Sequence, residues 1–266
     1  MKNRTRILSA AVVMTACIAT LAQQNQNVRP AKPGEVPFVY NTSDYETVEI
    51  ESVPKSVAQP DETPSESPAH SCFHLKDKRP LPALDKGPRY FYPAYSSVCI
   101  IPLSDASVTD FAKSYPHIHE AAAKLRKLLE RRPAKFKFHD ELFDLPFNNS
   151  SGIVQSKVQY LDFKTGNGIL FLTQYSQDDV PTPINNEELT CNFQGLTNDG
   201  KYYVAARFAI THPSLPKGID STKAPGRDPK RNYLKREERR LNSFADTSFR
   251  PSLKSLKSLI ASITTN

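Results

Sequence analysis

The sequence predicts an α+β fold: an antiparallel β-sheet of hairpins packed against helices, including an amphipathic C-terminal helix. Three observations lead there. Apolar and polar residues alternate with period two over 157–176 and again over 188–210, each run broken by a glycine-bearing turn. The period lengthens to that of a helix over 104–133 and over 249–263. Between and before them lie short strand-like runs bounded by Pro, Ser and Asp.

The elements follow in chain order. "MKNRTR" carries Lys2, Arg4 and Arg6 and is followed by "ILSAAVVMTACIATLA", an apolar run ending in small residues. Residues 1–22 therefore read as a secretory signal peptide cleaved after Ala22, because the run is short for a membrane span and polar sequence follows it. A competing reading takes "MTAC" as a lipoprotein box with Cys17 as the lipidation site, against which Met14 stands where Leu is usual. Residues 23–36 are rich in Pro, Gln and Asn and read as a disordered linker, and 37–266 as a single α+β domain with mobile loops at about 54–69 and 214–229. "FVYN", "YETVEIESV", "HSCFHL" and "SSVCIIPL" read as strands.

From Ser104 to Pro133 the pattern is helical. Ala121, Leu125, Leu128 and Leu129 form one stripe, and Pro116 marks a break or a second start. In "KTGNG" and "TNDG" the glycines are expected to supply the positive torsions of tight reversals. On the last strand Tyr202, Val204, Ala206, Phe208 and Ile210 share one face, and Tyr203, Ala205, Arg207 and Ala209 the other. Such strands suit a sheet covered mainly on one side. At the C-terminus Phe249, Leu253, Leu256, Ile260 and Ile263 make a stripe, with Pro251 suited to the first turn and Lys254 and Lys257 outward.

The formal charge is +7, and removal of Lys2, Arg4 and Arg6 with the leader leaves +4. The excess sits in two segments, 124–137 and 217–240. For an exported chain these point to a solvated face or to peripheral contact with an anionic membrane surface rather than to nucleic acid. The cysteines beyond the leader are Cys72, Cys99 and Cys191, so at most one disulfide can form among them.

Candidate chemistry is sparse. His70, Cys72 and His74 alternate on one strand face and are the better of two weak metal candidates; His117 and His119, two apart on a helix, diverge. No cofactor is indicated. "NNSSGI" lacks the flanking glycine of a nucleophile elbow, and Asp140, Glu141 and Asp144 make no pattern that sequence can pair. Asn185 and Asn186, ahead of a strand, fit turn chemistry first and ligand hydrogen bonding second. Tyr160, Tyr175, Tyr202, Tyr203 and Arg207 are the recognition candidates, since amphipathic aromatics and Arg are favoured at contacts.

"YLDFKTGNGILFLTQYSQ", "PINNEELTCNFQGLTNDGKYYVAARFAITHPSLP" and "FRPSLKSLKSLIASI" together resemble a family of secreted bacterial proteins and lipoproteins with no assigned activity. Its pattern is a "GVR-LTQY" strand, an "INN-ELxYTFQGLTxDGxYYV" hairpin and a closing helix with "FxPxL". Ile169 and Leu170 depart from the usual Val and Arg, and Cys191 takes an aromatic position. The resemblance implies export and no chemistry. The element order is also similar to the PsbP-like fold, an antiparallel sheet between helices, at the level of fold alone.

The expectation is thus an exported, noncatalytic binding domain whose partner is an envelope protein or polymer. The alternatives are an envelope hydrolase acting on wall or carbohydrate polymers, and electrostatic attachment to anionic surfaces.

Overall fold

The computed structural model describes residues 28–56, 66–79, 96–137, 141–142, 145, 151–176, 183–218 and 230–265. The leader reading at 1–22, with Cys17, lies outside them, as do Asp140, Asp144 and the middles of both proposed loops. The described residues form mixed α and β structure. The strands are β1 (Val28–Pro30), β2 (Tyr45–Val53), β3 (His70–Asp77), β4 (Ser96–Pro102), β5 (Ser151–Gly152), β6 (Ser156–Phe163), β7 (Gly166–Ser176), β8 (Leu189–Thr197) and β9 (Tyr202–Ala209). The helices are α1 (Phe111–Ser114), α2 (Pro116–Arg131), α3 (Lys230–Ser243) and α4 (Leu253–Ala261), with a 3₁₀ turn at Asp246–Ser248.

All strand pairs are antiparallel, in the order β1-β2-β3-β4-β9-β8-β7, with β6 and β5 both on the outer edge of β7. Two meanders, β2–β4 and β6–β9, are therefore joined by the single seam between β4 and β9.

The "TNDG" turn works as its chemistry requires. Gly200 takes φ +71°, Asp199 Oδ1 accepts from the Thr197 hydroxyl (2.6 Å) and the Lys201 N–H (3.0 Å), and Thr197 Oγ1 accepts from Tyr202 N–H (3.0 Å). "KTGNG" does not. Phe163 pairs with Gly166, so Lys164 and Thr165 make the reversal and the glycines lie inside β7. Their purpose is close approach. A Cβ on Gly166 would overlap the Leu196 carbonyl, and one on Gly168 would overlap the Phe193 ring. Phe163 and Phe193 pack edge to face (5.9 Å between centroids) over this bare backbone.

Both sheet faces are covered, which corrects the expectation of a sheet roofed mainly on one side. The first face carries Phe73, Val98, Leu170, Leu172, Phe193, Val204 and Phe208 against Phe249, Leu253, Leu256 and Ile260. The second carries Cys72, Cys99, Ile101, Ile169, Phe171, Tyr203 and Ala205 against Ile118, Ala121, Leu125 and Leu128 of α2. Every residue of β8 is buried as a result. Pro116 occupies the first turn of α2, and Arg132 closes it in the left-handed region with its N–H on Leu128 O (2.8 Å).

Other local readings change. Residues 28–30, expected within the linker, form an exposed edge strand: Arg29 opposes Ile50, and Ala31 N–H bonds Val48 O (2.9 Å). Pro30 is tolerated because it is on an edge. "FVYN" is not a strand, because its backbone bonds outward to the chain's end: Val39 N–H to Ser262 Oγ (2.7 Å), and Thr264 N–H to Pro37 O (2.8 Å). The ends of the loop beginning at residue 54 are tied by Ser56 and Ser67, which exchange backbone bonds of 2.9 and 3.2 Å. Pro251 precedes the N-cap of α4 instead of entering its first turn; the cap is Ser252, accepting from Ser255 N–H (3.1 Å).

Lys257 turns inward. Its Nζ meets Asp246 Oδ2 at 2.6 Å, and Lys157 reaches the other oxygen at 3.1 Å. Partial burial raises the Asp246 pKa, but the two lysine hydrogen bonds outweigh it and hold the carboxyl below its ordinary value. A group depressed in the folded state contributes stability above its unfolded pKa and loses it as pH falls through the folded one. Asp246→Asn should therefore cost about 1 kcal/mol at neutral pH, a figure reduced for solvent screening. It should also flatten the decline in melting temperature below about pH 4. Parallel acid melts of the two proteins would contradict this.

Candidate functional site

The "LTQY" and "INNEEL" strings meet in space. Asn185, wholly buried, accepts at Oδ1 from the N–H groups of Glu187 (2.9 Å) and Glu188 (3.1 Å). Its Nδ2 donates to Pro183 O (2.9 Å) and Glu188 Oε2 (3.0 Å). Gln174 completes the knot, donating to Pro183 O (3.2 Å) and Glu188 Oε2 (2.8 Å) and accepting from Asn185 N–H (3.0 Å). Asn186 grips the next crossing, donating to His212 O and Leu215 O (3.1 Å each) and accepting from His212 N–H (2.7 Å). Both amides are spent within the fold, so this motif builds the entry to β8 and leaves no donor for a ligand.

The second sheet face is different. Register places Ser97, Arg207 and Asn192 side by side across β4, β9 and β8. Arg207, half-buried, donates from Nε to Asn192 Oδ1 (3.2 Å), and its guanidinium lies 4.7 Å from the Tyr175 ring centre. Asn192 is oriented in turn by Thr190 Oγ1 (2.9 Å), which donates to Thr173 O (3.1 Å). Arg207 Nη2 is buried and makes no hydrogen bond among the described residues. One row along, Gln194 holds both backbone groups of Leu145 (3.2 Å each) and so draws that residue onto this face. A fixed, desolvated guanidinium with a spare donor, stacked on an aromatic ring, is suited to receive an oxyanion.

The remaining candidates fall elsewhere. Tyr160 donates to Pro133 O (2.8 Å) and fastens the end of α2 to β6. Tyr203 is fully buried beneath α2, so it is a packing residue and leaves the recognition set. Tyr202 lines a cleft on the first face. The metal reading loses its thiolate: Cys72 and Cys99 are directly opposed on β3 and β4 and joined as a disulfide, with Cα atoms 4.1 Å apart. His70 bonds Pro68 O (2.9 Å) and His74 bonds Glu51 (2.7 Å), lowering the pKa of that carboxyl. His117 faces Glu66 at 3.6 Å, whereas His119 is exposed. No group of three or more His, Cys, Asp or Glu among the described residues is placed to hold a metal. Cys191 is buried, and burial pushes its thiol pKa up.

One arrangement had no signal in the sequence. His212 Nε2 lies 2.9 Å from Ser248 Oγ, as in a nucleophile and base pair. The wiring runs backwards. Ser214 N–H donates to His212 Nδ1 (3.1 Å), so the neutral ring carries its proton on Nε2 and donates to the serine, whose own proton goes to Ala245 O (2.6 Å). Stacked on Phe244 at 3.6 Å, His212 is a structural pin. Burial, with help from Arg240, depresses its pKa.

These features define a two-sided antiparallel sheet carrying one polar platform. No family model, no curated protein and no solved structure matches the chain.

Proposed function

We propose that this chain is an exported, noncatalytic binding module of the cell envelope, and that Arg207, seated on Tyr175, takes an anionic group of its partner. The observation that carries this reading is the buried, unpartnered Nη2 of a guanidinium already held by Asn192. Such a donor costs about 1–3 kcal/mol when unsatisfied, a cost that a carboxylate removes when it displaces the groups covering Nη2. The partner is an envelope protein or polymer, in keeping with the secreted family whose motifs the chain resembles.

Export is supported by the Cys72–Cys99 disulfide, which suits an oxidising compartment, together with the charge and hydropathy of residues 1–22. The amphipathic C-terminal helix serves here as the cover that stiffens the sheet from behind, with Lys254 and Ser258 toward solvent. Binding is favoured over hydrolysis because His212 and Ser248 are wired against proton abstraction. It is favoured over electrostatic attachment because part of the basic segment 124–137 is paired within the fold, through Lys124–Glu120 (2.9 Å), Lys135–Glu238 (3.0 Å) and Arg131–Glu141.

The test is capture of carboxylate-bearing envelope fragments on immobilised protein. Arg207→Ala should weaken capture about tenfold or more with the fold intact, and Arg207→Lys should not restore it, because the fork geometry is lost. Undiminished capture by folded Arg207→Ala, or turnover of the fragments, would overturn the reading.

A further inference from the structure

A second cleft, of about 400 Å³, opens on the first face where β3, β4 and β9 end, on the side of the sheet away from Arg207. Its floor is apolar, made by Phe73 and Ile100, with Pro37 and Pro102 beside Tyr202 at the walls. Its rim is polar: Ser71, His70 and Thr264.

We propose that this cleft binds a neutral sugar ring. Three properties select that class. The volume lies in the range of small-molecule sites, which runs from roughly 300 to 1,000 Å³. Charge is cancelled: Glu35 is the one carboxylate in the lining, and it is held by Arg29 (2.6 Å) and by Lys32 N–H (2.9 Å), so a charged ligand finds no counter-ion. The mixture of an aromatic wall with hydroxyl and imidazole groups matches a pyranose, which has apolar C–H faces and a hydroxyl edge; a wholly apolar ligand would strand the polar rim.

The rim also has capacity to spare. Ser71 makes no hydrogen bond from its hydroxyl among the described residues. His70 bonds a carbonyl through Nδ1 (2.9 Å), so that nitrogen carries the proton and Nε2 is left as an acceptor. Burial, the main influence on His70, depresses its pKa and favours this neutral form. Thr264 Oγ1 donates to Pro37 O (3.2 Å) and keeps its lone pairs. The two walls are already tied by Thr264 N–H to Pro37 O (2.8 Å), so the cleft needs no closing motion to bind.

The test is an NMR titration of the disulfide-intact chain with cellotriose and tri-N-acetylchitotriose, alongside trigalacturonate and tetraproline. The amides of Ser71, Tyr202 and Thr264 should shift saturably with a neutral trisaccharide, and trigalacturonate should bind about tenfold more weakly. Tyr202→Ala should lower affinity about tenfold or more at an unchanged melting temperature. Should that variant unfold, Ser71→Ala, which removes the hydroxyl without adding bulk, should lower affinity instead. Cosedimentation with insoluble cellulose or chitin separates a polymer from a free sugar as the source, and binding of either form supports the site. Silence with both neutral sugars, stronger shifts with tetraproline, or full affinity in folded Tyr202→Ala would overturn it. Arg207→Ala should leave sugar binding unchanged, so the failure of one site is distinguishable from the failure of the other.

Discussion

Replacing Asn185 with alanine is expected to lower the free energy of unfolding by about 3 kcal/mol, read from urea midpoints. The side chain is fully buried and makes four hydrogen bonds, two given and two received. Alanine leaves the Glu187 and Glu188 N–H groups without the oxygen that receives them, while Gln174 still serves Glu188 Oε2, and unmet buried groups cost more than the average bond contributes. Asn185→Asp separates the two halves of the argument. It keeps the oxygen that serves the two N–H groups but sets a second carboxylate against Glu188 Oε2. The introduced carboxyl should therefore have a raised pKa, and the variant should regain stability as pH falls. An unchanged midpoint for Asn185→Ala would free the amide for a ligand and turn the motif from framework into site.

The second large effect is expected from the double substitution Cys72→Ala with Cys99→Ala. The bridge closes a loop across a sequence separation of 27, for which the chain-entropy model gives about 3.5 kcal/mol. It joins directly opposed residues beneath α2, a position where little backbone adjustment is available to offset the loss. Thiol titration supplies an independent reading. In a chain beginning at residue 23, which lacks Cys17, the oxidised native protein should show no reactive thiol, and its denatured form one, from Cys191. Three thiols in the denatured, unreduced protein, or equal midpoints for the two proteins, would refute the assignment.

What the sequence made legible was whatever repeats with a period. The face assignments on β9 follow from alternation, with Val204, Ala206, Phe208 and Ile210 in one core and Tyr203 and Ala205 in the other, and Pro116 and Pro133 bracket α2 as their chemistry demands. Misreadings came where one residue type serves two purposes. Glycine in "KTGNG" was read as torsional freedom when its use is lack of bulk beneath Phe163 and Phe193. Lys257 was read as solvated when Asp246, eleven positions earlier, draws it in. The platform at Arg207 was half visible. An Arg on the mixed face of a strand is a recognisable oddity, but Tyr175 and Asn192 join it only through strand order, and alternation does not encode which strands are neighbours. His212 had no signal at all, because its partners, Phe244 and Ser248, arrive from a separate helical segment.

The seam between β4 and β9 also bears on how the chain is completed as it is made. Pro102 must wait for Tyr202, and the whole helical stretch and both later hairpins lie between them. A chain emerging N-terminus first would offer Val98 and Ile101 on a bare, adhesive margin until the last strand arrives. That margin must stay covered until the chain is complete, and early exposure should be punished by clumping rather than by slow maturation.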